Sequence, residues 1–135
     1  MLQGALYGTN DNLMRADLVA QNFVPLVQPY DSTVEPLFAQ RFNHVIGGNE
    51  TTTTQVLNAN AGTPDAIVDW VFVELRDETD SLTVLRTLSA LVQRDGDIVN
   101  AADGGVIFLD SIPENFFAVV KHRNHLGALQ LLLQV

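Results

Sequence analysis

The sequence predicts an all-β fold: one domain over residues 1–135, most simply a sandwich, with at most one short helix. Three observations carry this reading. Apolar windows of strand length recur along the chain, at Ile67–Leu75, Val106–Leu109, Phe116–Lys121 and Ala128–Val135. Turn signals separate them, and short strands at regular spacing are the pattern of a sandwich. The composition, 47% hydrophobic and 17% charged, excludes a disordered chain, which needs low hydrophobicity and a high net charge to stay unfolded.

Asn10 or Asp11 would cap a short helix running through Leu13, Met14 and Leu18, with Pro25 stopping anything longer. The stretch from Asn43 to Pro64 is rich in Gly, Thr and Asn and reads as loop. Because threonine is a good strand former, an exposed edge strand is expected through Thr51–Leu57, followed by a turn at Asn60–Pro64.

Around Trp70, strict alternation puts Val68, Trp70, Phe72 and Glu74 on one face and Asp69, Val71, Val73 and Leu75 on the other. Both faces are largely apolar, so this strand belongs in the middle of a sheet, covered on both sides. In Ser81–Arg94, a roughly helical spacing of Leu82, Leu85, Leu88 and Ala90 competes with the strand-favouring Thr83 and Thr87. The Asp95-Gly96 pair decides for strand, since it supplies the positive φ angles of a tight hairpin between Leu91-Val92 and Ile98-Val99. Phe116–Arg123 reads as a second central strand.

Several functions are disfavoured by composition. The formal charge is -9, from 16 acidic and 7 basic residues, and the basic residues are isolated except for Lys121 and Arg123. Binding to a phosphate backbone needs clustered cations, so neither nucleic acid nor an anionic membrane surface is expected as a partner. With no cysteine, there is no disulfide, thiol nucleophile or thiolate metal site. No apolar run reaches the roughly 18 residues that a membrane helix requires, so no membrane insertion is expected.

The candidate chemistry is sparse. His122, Asn124 and His125 are the most conspicuous cluster, but in a strand His122 and Asn124 share a face while His125 points away. Hydrogen bonding to the backbone of neighbouring loops is the expected role, and metal ligation is not. Asp95, Asp97 and Asp103 superficially resemble a calcium loop, yet the acidic run is too short for six to eight oxygens and reads as a hairpin turn. Asp69, Glu74, Arg76, Lys121 and Arg123 would pair across strands if the Trp70 strand neighbours the Val119 strand. Trp70, Phe72, Phe116 and Phe117 read as core rather than as a sugar-stacking surface. No Gly-x-Ser-x-Gly elbow or phosphate loop is present, and no cofactor is expected.

Three blocks give the chain a resemblance. The first is Leu2-Gln3-Gly4-Ala5 with Leu13-Met14-Arg15, Val24-Pro25-Leu26 and Gln28-Pro29-Tyr30; the second is Ile67 through Asp77, reading IVDWVFVELRD. The third runs from Leu91-Val92-Gln93-Arg94-Asp95-Gly96-Asp97-Ile98-Val99 through Phe108 to Val119-Val120-Lys121-His122-Arg123-Asn124-His125-Leu126-Gly127. Together they resemble a module of large secreted bacterial surface proteins, often carrying C-terminal sorting domains. The resemblance implies an immunoglobulin-like or transthyretin-like sandwich, an extracellular or cell-surface location and no assigned reaction. It also marks Trp70, Glu74, Arg76, His122, Arg123, Asn124 and His125 as a structural motif.

The function expected is therefore structural and non-enzymatic: a module of a surface protein or filament, with copies of itself or neighbouring domains as partners. The segments Leu2–Leu6 and Ala128–Val135 read as unguarded strands, which places the assembly edges at Leu2, Leu6, Leu129, Leu131, Leu133 and Val135. A carbohydrate- or calcium-binding adhesin module is the alternative.

Overall fold

The computed structural model describes residues 13–30, 42–109, 115–122 and 129–131. Five strands form one antiparallel sheet: β1 (Ile67–Asp77), β2 (Val84–Gln93), β3 (Ile98–Val99), β4 (Phe116–Lys121) and β5 (Leu129–Leu131), in the order β3-β2-β1-β4-β5. The all-β class holds, and β1 is the central strand, with nine buried residues in succession. β4 lies beside it, with Glu74 opposite Val119 and Phe72 opposite Lys121.

What covers the sheet in the described residues is loop and short helix. On one face, Val71, Val73, Leu75, Ala90, Val92 and Val120 pack with Met14, Ile107 and Leu109. On the other, Trp70, Phe72 and Leu91 pack with Val19, Tyr30, Phe42 and Leu57. Burying each large apolar side chain is worth about 1.5–3 kcal/mol, so both layers draw their stability from β1.

Alternation along β1 is interrupted at its start. Ile67 faces Gln93 and Asp69 faces Val92, leaving Val68 as the extra residue of a bulge. The insertion moves Val68 to the Val71 cluster, whereas strict alternation had placed it with Trp70, and puts Ile67 with Trp70 instead.

The Asp95-Gly96 hairpin forms, though of the pair expected at positive φ only Gly96 adopts it. Gly96 adopts φ 95°, its N–H bonds the Gln93 carbonyl at 2.9 Å, and the Gln93 N–H bonds the Asp97 carbonyl at 2.8 Å. Ser81–Arg94 resolves to strand, with β2 at Val84–Gln93.

Four expectations are corrected. Among the described residues there are two short helices rather than one at most: α1 (Asp17–Ala20) and α2 (Thr54–Asn58). α1 begins after Leu13 and Met14, not through them, and it stops at Asn22, whose φ of 59° reverses the chain before Pro25. Asn10 and Asp11 lie outside the described residues. The expected edge strand at Thr51–Leu57 is replaced by α2, because the Thr53 hydroxyl accepts the Val56 N–H at 3.2 Å and so caps a helix. Only Thr51 keeps a strand-like contact, an isolated bridge to Val27. Val106–Leu109 alternates as a strand would, with Ile107 and Leu109 packed inward and Val106 and Phe108 exposed, but it joins no ladder.

Candidate functional site

The features that distinguish this sheet are its two margins and the polar groups buried beside them. β3 is only two residues long, so it leaves the outer side of β2 uncovered at Thr87 and Ser89. A segment folded from the sequence-predicted loop fills the gap. The Thr87 N–H donates to the Val45 carbonyl at 2.9 Å, and the Val45 N–H donates to the Thr87 hydroxyl at 2.8 Å.

Next along β2, the Ser89 N–H donates to Glu50 Oε1 at 3.0 Å, while Glu50 Oε2 accepts the Gly48 N–H at 2.8 Å. One carboxylate therefore takes the place that a neighbouring strand's carbonyl would occupy. The close approach requires glycine: a Cβ on Gly47 would stand 2.4 Å from the Thr87 carbonyl oxygen. Between the two anchors, Ile46 is held at φ 71°, a strained conformation for a β-branched residue, and the residue is 78% exposed. Past β3, the Asn100 N–H bonds the Gly105 carbonyl at 2.8 Å as the chain folds back on itself.

The same segment is tied to the core. Gln28 donates to the Gly48 carbonyl at 3.1 Å and accepts the Tyr30 N–H at 2.8 Å. His44 Nε2 lies 2.6 Å from the Tyr30 carbonyl, which makes that nitrogen the protonated one, and its ring meets Phe72 edge-on. The Tyr30 hydroxyl donates to the Trp70 carbonyl at 2.8 Å, and Trp70 Nε1 donates to the Pro25 carbonyl at 2.8 Å. Trp70 is thus an anchor within the core rather than an exposed stacking surface.

The opposite margin is different. β5 pairs with β4 through Ala118↔Leu131, Val119↔Gln130 and Val120↔Leu129, and among the described residues no strand lies beyond it. Of the expected assembly residues, Leu129 and Leu131 fall on this outermost strand. Leu2, Leu6, Leu133 and Val135 lie outside the described residues.

The described part of the structural motif separates into two polar groups. Glu74, 4% exposed, accepts from Arg76 Nε at 3.0 Å and Nη2 at 2.6 Å and forms an ion pair with Lys121 one strand over. The Arg76 guanidinium reaches the Ser81 carbonyl at 3.1 Å as well. The expected cross-strand pairing thus forms between Glu74 and Lys121. His122 is buried and bonds the carboxylate of Asp69, itself fully buried, at 2.8 Å. Its described partner is a side chain, where the sequence suggested loop backbone. Arg123, Asn124 and His125 lie outside the described residues.

The remaining acids serve turns. Asp95 accepts the Asp97 N–H at 3.0 Å and Asp103 accepts the Gly105 N–H at 2.8 Å, each closing its own loop. In the β1–β2 turn, Asp77 Oδ1 accepts the Thr79 N–H at 2.8 Å, the Thr79 hydroxyl at 2.7 Å and the Asp80 N–H at 3.2 Å. These bonds, the Thr79 hydroxyl first, hold the Asp77 carboxyl below its ordinary range. Among the described residues no three His, Asp or Glu side chains converge as a metal site.

An open cleft of about 330 Å³ lies between α1 and the residues after α2, lined by Val19, Leu57, Ala61 and Ile67 with Arg15 and Arg94 nearby. Its cations are engaged: Arg15 pairs with Asp17, and Arg94 Nε donates to the Met14 carbonyl at 2.7 Å.

The sequence reading does not single out as site residues Glu50, Gln28, Tyr30 or His44, which the segment around Gly48 brings together. The signal present was the Gly47-Gly48 pair, which marks a close backbone approach. None of the known family models, curated proteins or solved structures matches the chain. No helix among the described residues is long and apolar enough to cross a membrane.

Proposed function

We propose that this chain is a structural, non-catalytic module of an exported surface protein, and that it docks to its neighbours through the outer margin of β5. The observation that carries the reading is the inequality of the two margins. At the β3 side the chain's own Val45, Glu50 and Gly105 take up backbone groups, while beyond β5 no described strand follows. Strand addition to such a margin supplies main-chain hydrogen bonds without a preformed pocket.

The use of the acidic side chains supports the non-catalytic half. Asp69 is buried in a hydrogen bond with His122 and Glu74 in ion pairs with Arg76 and Lys121, and Glu50, Asp77, Asp95 and Asp103 bond backbone amides. The surface location rests on the resemblance of the IVDWVFVELRD and VVKHRNHLG blocks to exported bacterial modules.

Hydrogen exchange at Leu129–Leu131 tests the docking surface. The reading expects amide protection in β5 that rises with protein concentration, or on adding a neighbouring module, while protection in β1 stays constant. Protection at β5 that is independent of both would overturn it.

A further inference from the structure

We infer that the partner taken up by β5 is a second copy of this chain, docked antiparallel, and that the assembly closes as a twofold dimer instead of growing into a filament. The inference rests on the docking reading above and adds the occupant and the closure.

Growth into a filament by continuing the sheet requires two complementary open margins on each chain, since the β5 margin of one copy must meet a β3 margin of the next. The β3 margin is not open. Thr87 and Ser89 have their outward N–H groups bonded to Val45 and Glu50, and the chain beyond β3 turns back so that Asn100 bonds Gly105. An incoming strand would have to displace three hydrogen bonds, one of them to a carboxylate, before forming any of its own.

Among the described residues only the β5 margin remains without a neighbouring strand, and a single usable margin can be satisfied by its own kind only across a twofold axis. Antiparallel pairing centred on Gln130 sets Gln130 against Gln130 of the second copy and Leu129 against Leu131, so the register is self-complementary. Charge favours the same contact. Two chains of formal charge -9 repel one another, yet no Asp, Glu, Lys or Arg occurs from Asn124 to Val135. Ala128–Val135 also lacks the proline and lysine that commonly guard an edge strand.

The experiment uses the natural absence of cysteine. Gln130→Cys and, as an exposed control on the covered side, Asn49→Cys are oxidised in dilute solution, and the unmodified chain is followed by sedimentation over a wide concentration range. Fluorescence of the single tryptophan, Trp70, checks that each variant is folded.

The expected result is efficient disulfide-linked dimer for Gln130→Cys, little for Asn49→Cys, and sedimentation that stops at twice the chain mass. Gln130→Lys, which sets like charges opposite each other, is expected to weaken dimerisation at least tenfold. Cross-linking at Gln130→Cys with the unmodified chain growing past two copies would overturn closure and leave the docking margin standing. A chain that stays monomeric, with no preferential cross-link at position 130, would overturn the dimer, and β5 protection unchanged by a neighbouring module would then remove the docking margin too.

Discussion

Replacing Glu50 with alanine removes the acceptor for two amides at once. The Ser89 N–H, on a residue 2% exposed, loses its bond to Oε1, and an unsatisfied buried donor costs about 1–3 kcal/mol. The Gly48 N–H loses its bond to Oε2, worth about 0.5–1.5 kcal/mol in a half-exposed turn. Together the expected destabilisation of Glu50→Ala is about 2–4 kcal/mol. At roughly 3 °C per kcal/mol for a chain of this size, the melting temperature should fall by about 6–12 °C. Glu50→Gln keeps one acceptor oxygen and should lose about half as much. Thermal unfolding followed by circular dichroism gives the stability. Amide exchange at Ser89 locates the change, since it should accelerate far more than exchange at Val71 in the central strand. A Glu50→Ala variant that melts within about 2 °C of the parent with Ser89 still protected would refute the view that this carboxylate substitutes for an edge strand.

Three further outcomes follow from the same geometry. Ile46→Asn should raise the melting temperature by a few degrees, because asparagine tolerates the positive φ at that position and the exposed isoleucine loses little packing; denaturant titration would measure it. Glu74→Ala should destabilise more than Lys121→Ala, since it leaves two partly buried cations facing each other, whereas the loss of Lys121 leaves the Glu74–Arg76 pair intact; chemical unfolding of both variants decides. Asp77 has a carboxyl held below its ordinary range, so its contribution is present above the unfolded value near 3.9 and fades as pH falls through the lower folded value. The stability difference between the parent and Asp77→Ala, measured from pH 6 down to pH 2, should therefore be constant at first and shrink below about pH 4.

The parts of this fold legible in the sequence are those governed by neighbours in sequence. Trp70 and Val71 each lie in an apolar run, so β1 declares itself as a strand buried on both faces, and Asp95-Gly96 fixes a hairpin through backbone conformation alone. Thr51–Leu57 misleads because threonine has two competing uses. Its branched side chain favours a strand, while the Thr53 hydroxyl, once Leu57 has a core to enter, caps a helix instead. The bulge at Val68 is invisible to period-two reasoning, since one extra residue shifts which side chains share a face. The pairing of Glu50 with Ser89 joins residues 39 positions apart, and no local pattern announces it. Gly47 is the local trace of that contact, legible as an unusual glycine but not as to what it lets approach.

The arrangement of β1 between β2 and β4 also bears on how the sheet comes into being. β1 and β2 are joined by a turn of six residues, with ladder contacts spanning Ile67 to Gln93, so their loop closes at small entropic expense. β4 returns to β1 only at Phe116, after the Asp95-Gly96 hairpin and the excursion beyond β3, so its pairing is the non-local and slower event. The hairpin of β1 and β2 is thus expected to carry the high φ-values of the folding transition state, and β4 with β5 the low ones. Destabilising changes in the early hairpin would then slow folding, and those in β4 would chiefly hasten unfolding. The strand proposed to take up a partner is, on this ordering, among the last to be laid down.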